Sequence, residues 1–342
     1  MGELIYRQGA AADAFYIISS GRLRVFSEDG GVEKTLTVLH NGDSFGEISL
    51  LISEAHSASV QALNDALVLQ LEKKDFDDVI NRIPSLVLYL SRSLSKRLRT
   101  RELGGEFSEA TIAAIYSAAK GVGRTCFAVA LAASLKRETG RDVVVVDFSG
   151  HDGEEALLYG SSVPRAARRG PLPTASSEEL FGAASLAHPL GFSVLPVSEL
   201  LTESGGEQAI APLLNFLTNR FHYILIDLPV TVDAPVLKAL TQSDLIYLVT
   251  GPQREHVIRT NALIHQLQSS VGPVEQRMKV VLNMLELPTA PLNRSELTQQ
   301  LGHPIGVTLP HVPSASGSLT LEEFARLLES RGSPYHLTVR RI

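Results

Sequence analysis

Residues 117–126 read SAAKGVGRTC. They follow an apolar run, TIAAIY at 111–116, and precede a long helical pattern, FAVALAASLKRE at 127–138. An apolar strand, a glycine turn and a helix form the setting in which backbone N–H groups cradle phosphate. Such a loop carries a lysine just before its Ser or Thr, and here Thr125 is preceded by Arg124. The stretch belongs either to a working nucleotide hydrolase or to the frame of one.

Outward from this loop, the chain beyond residue 111 alternates long apolar runs with helical patterns. The predicted strands are TIAAIYS, DVVVVDFS, FSVLPVS, YILIDLP, LIYLVTG, KVVLNML and PIGVTLP. Near-continuous Val, Ile and Leu suits strands buried on both faces of a parallel sheet. A doubly wound α/β domain is therefore expected over 111–335. Residues 160–188, rich in Ala, Ser, Pro and Arg, read as an irregular insertion.

The first 72 residues have another rhythm. Short alternating runs, among them AFYIISSG, RLRVFSEDGG and ALVLQLEK, are separated by glycines at 9, 21, 30, 31 and 42. Turn signals at that spacing predict an antiparallel roll or barrel. From 73 the pattern is helical, with Phe76, Val79, Ile80 and Ile83 on one face and Pro84 dividing two helices. The domain boundaries follow: a roll with closing helices over 1–103, a polar linker over 104–110, and the α/β domain.

Composition narrows the classes. The chain has 342 residues, a formal charge of −6 and 44 % apolar residues. That allows two sizeable cores and gives no general drive toward nucleic acid or anionic membrane. The basic run SRSLSKRLRTR at 91–101 reads as a solvated helix face, and no nucleic-acid motif occurs. Cys126 is the single cysteine, which excludes an intrachain disulfide and fits a reducing compartment. There is no signal-peptide pattern and no apolar run near 18 residues. A cytoplasmic location is expected, either free or peripheral at the inner membrane.

The segment NGDSFGEISLLISEAHSASV at 41–60 resembles the phosphate-binding cassette of cyclic-nucleotide-binding domains, as in the Crp family and protein kinase A regulatory subunits. The resemblance covers about residues 1–100. It implies a cAMP or cGMP site built from Gly46, Glu47, Ile48, His56, Ser57, Ala58 and Ser59. Glu47 would accept from the ribose 2′-hydroxyl. Backbone N–H groups of a short helical turn near Ser57 and Ala58 would hold the cyclic phosphate. The family arginine that grips the phosphate is replaced by His56. Losing a charge-assisted hydrogen bond costs roughly 1.5–3 kcal/mol, or about ten- to a hundredfold in affinity. The family's first helix and strand have no counterpart before Gly2, so an incomplete first turn of the roll is expected. A Crp-type helix-turn-helix does not follow the closing helices, which argues against a transcription factor.

The α/β half resembles ParA/MinD-like deviant P-loop ATPases, most closely the CpaE/TadZ pilus-assembly branch, and so implies a SIMIBI P-loop NTPase sheet. The family loop is S-x-K-G-G-V-G-K-T. Ser117, Gly121, Val122, Gly123 and Thr125 match it, while Ala119 and Arg124 replace its two lysines and Lys120 replaces its first glycine. The resemblance implies ATP or ADP on Lys120, Gly121, Val122, Gly123, Arg124, Thr125 and Cys126. Asn283 would contact the base, Thr125 would hold Mg²⁺, and Asp147 and Asp227 would act as the catalytic carboxylates near metal and water. Ser149 stands at the second aspartate of the family's D-x-D. Two altered cations argue for slow or absent hydrolysis, because stabilising the transferring phosphoryl is most of the chemistry.

Three functions are compatible with these residues. One is a cyclic-nucleotide-responsive regulator or scaffold with a degenerate P-loop domain, acting on an unidentified protein partner or as a homodimer. Another is an active ParA/MinD-type ATPase gated by the roll, in positioning or pilus assembly. The third is the regulatory front of a patatin-like phospholipase, since roll-then-α/β order and the closing SPYHLTVRRI resemble bacterial relatives of neuropathy target esterase. No G-x-S-x-G nucleophile motif occurs within the chain.

Overall fold

In the computed structural model the described residues are 2–39, 43–63, 66–83, 110–149, 155–159, 177–197, 206–271, 277–284, 294–311, 320–330, 333–340 and 342. They fall into two compact units, Met1–Glu109 and Ala110–Ile342. Pro84, the basic run at 91–101 and linker residues 104–109 lie outside the described residues.

The first unit is the expected antiparallel roll. One sheet has the order β1-β6-β3-β4, from β1 (Leu4–Tyr6), β3 (Leu23–Asp29), β4 (Val32–Leu39) and β6 (Ser59–Ala62). The other has the order β5-β2-β7, from β2 (Ala14–Ser20), β5 (Ser44–Phe45) and β7 (Leu67–Glu72). Alternation selects the core: Ala14, Tyr16 and Ile18 of β2 point inward while Ile17 is exposed. Helix α1 (Glu47–Ile52) sits inside the cassette, and α2 (Lys73–Arg82) packs Phe76 against Phe15 with ring centroids 4.9 Å apart.

The second unit is an eight-stranded sheet of order β10-β11-β9-β12-β8-β13-β14-β15. Its strands are β8 (Thr111–Tyr116), β9 (Val143–Asp147), β10 (Leu186–Ala187), β11 (Ser193–Pro196), β12 (Tyr223–Asp227), β13 (Leu245–Thr250), β14 (Met278–Asn283) and β15 (Ile305–Leu309). All neighbours pair in parallel except β10, which runs antiparallel to β11. The valine run explains its own place: Val144 and Val146 enter one core layer, Val143 and Val145 the other, and all four are at most 1 % exposed. Helix α3 (Arg124–Thr139) follows the glycine loop and is buried continuously from Cys126 to Ser134. Such a helix lacks a polar face because both its sides are packed.

Three readings change. The stretch expected to be an irregular insertion contains helix α5 (Ser177–Ala184) and β10, with Leu180 and Ala184 in the core; its described part begins at 177. Ala and Ser hid a helix there whose burial, more than its composition, holds it. The cassette's helical turn is α1, while Ser57 and Ala58 form a bend. The α/β unit also extends beyond 335: α11 (Pro334–Val339) buries Tyr335, His336 and Val339 in that unit.

Candidate functional site

The glycine loop at 117–125 stands at the carboxyl end of β8, the strand between β12 and β13. In open α/β sheets that edge is where ligands lie. Gly121 (φ 75°) and Gly123 (φ 77°) adopt the left-handed conformation that turns the chain back into α3. L side chains rarely adopt that conformation, which is why glycine stands at both positions.

Register brings the two carboxylates beside it. Asp147 and Asp227 are paired residues at the ends of adjacent parallel strands β9 and β12. Asp227 is 0 % exposed. Its Oδ1 accepts from Arg124 Nε at 2.6 Å and its Oδ2 from Thr125 Oγ1 at 2.7 Å. Burial pushes its carboxyl above the ordinary range, with Arg124 the chief opposing influence and the Asp147 charge adding to the rise. Asp147 is also enclosed. Its Oδ1 accepts from the Ser149 backbone N–H at 2.8 Å and hydroxyl at 2.6 Å, and its Oδ2 from the Tyr159 hydroxyl.

The other loop residues take distinct places. Lys120 is exposed, and Val122 is buried. Ala119 is 8 % exposed, so the position where the family's lysine would stand lies in the core. Cys126 points inward, its Sγ 3.9 Å from the Tyr335 hydroxyl, and leaves only its backbone to the loop. Asn283 at the end of β14 donates from Nδ2 to the Val122 carbonyl at 3.0 Å, bracing the loop. Its Oδ1 is buried and has no hydrogen-bond partner among the described residues.

In the roll, Gly46 has φ 83°, and a Cβ there would stand 2.9 Å from the Ala14 carbonyl oxygen. Only glycine permits that approach. Glu47 follows it, buried at the start of α1, whereas Ile48 points outward. His56 is 3 % exposed and stacks on Tyr6, with centroids 3.6 Å apart and planes 8° from parallel. Its Nε2 has no hydrogen-bond partner among the described residues. Burial lowers the His56 pKa, opposed by Asp13, so the ring is held neutral. Ser59 Oγ accepts from the Gln8 backbone N–H at 2.9 Å; Ala58 is buried and Ser57 exposed. Burial and the nearby Glu47 charge raise the Tyr6 phenol. The sequence reading named Gly46, Glu47, Ile48, His56, Ser57, Ala58 and Ser59; of these Ile48 and Ser57 are exposed, and the reading named neither Tyr6 beside His56 nor Tyr159 beside Asp147. Nothing in the spacing of either tyrosine announces those contacts.

Comparison with known proteins follows this division. The family model of the cyclic nucleotide-binding domain matches residues 1–83, and that of cellulose biosynthesis protein BcsQ matches residues 111–281. The cyclic AMP receptor protein of Thermus thermophilus is 39 % identical over 103 residues, covering 30 % of this chain and 48 % of that protein. Lysophospholipase NTE1 of Mycosarcoma maydis is 27 % identical over 153 residues, covering 43 % of this chain and 8 % of that protein. The chain therefore spans about half the length of the first relative and less than a tenth of the second. Among solved structures, the ParA family ATPase of Chlorobium tepidum superposes with a TM-score of 0.55 at 17 % identity, over 68 % of this chain and 97 % of that one. The Aquifex aeolicus MinC:MinD complex gives 0.53 at 19 % identity, over 68 % and 94 %. These superpositions show the ParA/MinD fold. Since its family model spans half of the 342 residues, the chain belongs to the family described as cellulose biosynthesis protein BcsQ, with a cyclic nucleotide-binding domain ahead of that region.

Proposed function

We propose that the chain is a cyclic-nucleotide-responsive regulatory or scaffold protein whose α/β unit holds ATP or ADP and hydrolyses it slowly or not at all. The observation that carries this reading is the Arg124–Asp227 ion pair. Holding phosphate uses the loop's backbone N–H groups, which Gly121 and Gly123 still present. Turnover uses cations that meet charge developing on the transferring phosphoryl. Here the cation before Thr125 is engaged by Asp227, and the other family lysine position is the buried Ala119. A domain of this kind acts by what it binds, so the roll's cAMP or cGMP would bias a protein partner or a homodimer of the α/β unit. Its place would be the cytoplasm or the inner-membrane surface.

The test is steady-state phosphate release by the full chain, alongside calorimetry with cAMP, cGMP, ATP and ADP. Nucleotide binding with turnover far below that of ParA/MinD relatives is expected. Robust turnover that disappears in Asp147→Ala would replace this reading with that of a gated ATPase.

A second reading has one specific support. The NTE1 match runs over 153 residues, beyond the 103 residues shared with the cyclic AMP receptor protein. The chain would then be the regulatory front of a longer lysophospholipase. Genomic sequence encoding a G-x-S-x-G hydrolase domain after Ile342 would establish it, and its absence would remove it.

A further inference from the structure

We infer that the phosphate loop takes its nucleotide without a divalent cation, the Arg124 guanidinium standing in the place where such loops keep their metal. This rests on the nucleotide-holding reading above and goes beyond it in naming the state of the ligand.

One oxygen of the carboxylate that would face Mg²⁺ is already held by a guanidinium. The Thr125 hydroxyl and the Arg124 Nε each donate to a different oxygen of Asp227. Both oxygens of Asp147 accept from Ser149 and Tyr159. A divalent cation at Asp227 would also have to share a water-excluded carboxylate with a guanidinium already bonded to it. Like charges so close repel strongly where solvent cannot screen them.

An anion suits the same place. Arg124 spends Nε on Asp227, and its Nη donors make no hydrogen bond among the described residues. The Arg124 side chain is 11 % exposed, at the first position of α3. Guanidinium offers five donors in a planar fork, so one can bind the carboxylate while the others meet phosphate oxygens. Gly121 and Gly123 shape the loop, and Asn283, 1 % exposed, braces it through Val122 and keeps a buried acceptor that has no donor among the described residues. A ligand carrying phosphate oxygens and an N–H donor, such as a nucleoside diphosphate, answers both needs.

The experiment titrates ADP into the full chain by calorimetry in EDTA and again in excess Mg²⁺. Mn²⁺ paramagnetic resonance then counts free metal with ADP, with and without protein. The expected result is ADP binding no tighter in excess Mg²⁺ than in EDTA, and weaker to the extent that Mg²⁺ complexes ADP in solution, with no protein-dependent loss of free Mn²⁺. Arg124→Lys keeps a positive charge but loses the fork, and it should make ADP binding at least about tenfold tighter with Mg²⁺ than without. Wild-type binding about tenfold or more tighter in Mg²⁺, or loss of free Mn²⁺ to wild-type protein, overturns the inference while leaving the nucleotide reading intact. No ADP binding in either buffer overturns both. A melting curve checks that Arg124→Lys is folded; if it is not, the wild-type comparison alone decides.

Discussion

Arg124 Nε lies 2.6 Å from Asp227 Oδ1 and Thr125 Oγ1 lies 2.7 Å from Asp227 Oδ2, so consecutive residues of one loop close both oxygens of one buried carboxylate. The pair ties the start of α3 to the end of β12, across 103 positions of sequence. A fully buried carboxylate is tolerated only with such partners. The same contacts fix the start of α3 against the end of β12.

Removing the arginine should reveal the cost of that carboxylate. Arg124→Ala is expected to lower stability by about 3–5 kcal/mol, the usual effect of breaking one side of a buried pair. Arg124→Lys should lose less. The deficit should shrink as pH falls, because Asp227 is already raised by burial and takes up a proton more readily without its cation. Denaturant midpoints at several pH values measure it, and a change under about 1 kcal/mol would mean that the carboxylate is satisfied without Arg124.

The roll should respond to restored charge. His56 is a neutral ring stacked on Tyr6 at the position where the cyclic-nucleotide cassette carries arginine. His56→Arg can keep the stack and add fixed charge and further donors. Its affinity for cAMP or cGMP at pH 7.5 should rise about tenfold or more, given the roughly 1.5–3 kcal/mol of a charge-assisted bond. Unchanged or weaker binding in calorimetry would show that the histidine does not occupy the phosphate-facing place.

Acid should destabilise the protein through two histidines. Burial lowers the pKa of both His56 and His188; Asp13 opposes this at His56, and a hydrogen bond to the Leu157 carbonyl opposes it at His188. The unfolded chain takes up these protons near the ordinary histidine value, about 6.5, before the folded state does. Their contribution to stability is therefore complete above that pH and is lost as pH falls toward the folded-state values. Unfolding curves between neutral and mildly acid pH should show the loss, and His56→Gln with His188→Gln should flatten it. An equal slope in the double variant would assign acid lability to other groups.

The closing helix should be indispensable to the α/β unit. Tyr335 and Val339 of α11 are 1 % and 2 % exposed in the core layer that contains α3. Tyr335 also packs edge-on against Phe324, with centroids 6.4 Å apart. Tyr335→Ala should cost about 3–5 kcal/mol, as large-to-small aromatic changes in cores do. Thermal melting of the α/β unit reads this directly, and a shift within error would mean that the helix is not part of the cooperative core.

Much of the architecture was legible one residue at a time. Alternation from Tyr16 to Ser19 and unbroken valine in Val143–Val146 report different sheet environments, because the first strand covers its second face only at Phe15, beneath α2, whereas the other is buried on both faces throughout. The glycine loop announced itself in the same way, since positive φ at Gly121 and Gly123 is a local steric demand. Asp147 and Asp227 ended apolar strands in series, and parallel pairing set them side by side. What the residues were bonded to was a different matter. Only folding brought Arg124 onto Asp227, Tyr159 onto Asp147 and His56 onto Tyr6. The helix at 177–184 and the packing of 334–339 were settled by burial against distant strands. Backbone shape follows from neighbours in the chain, but the charge and hydrogen bonding of a buried group follow from neighbours in space.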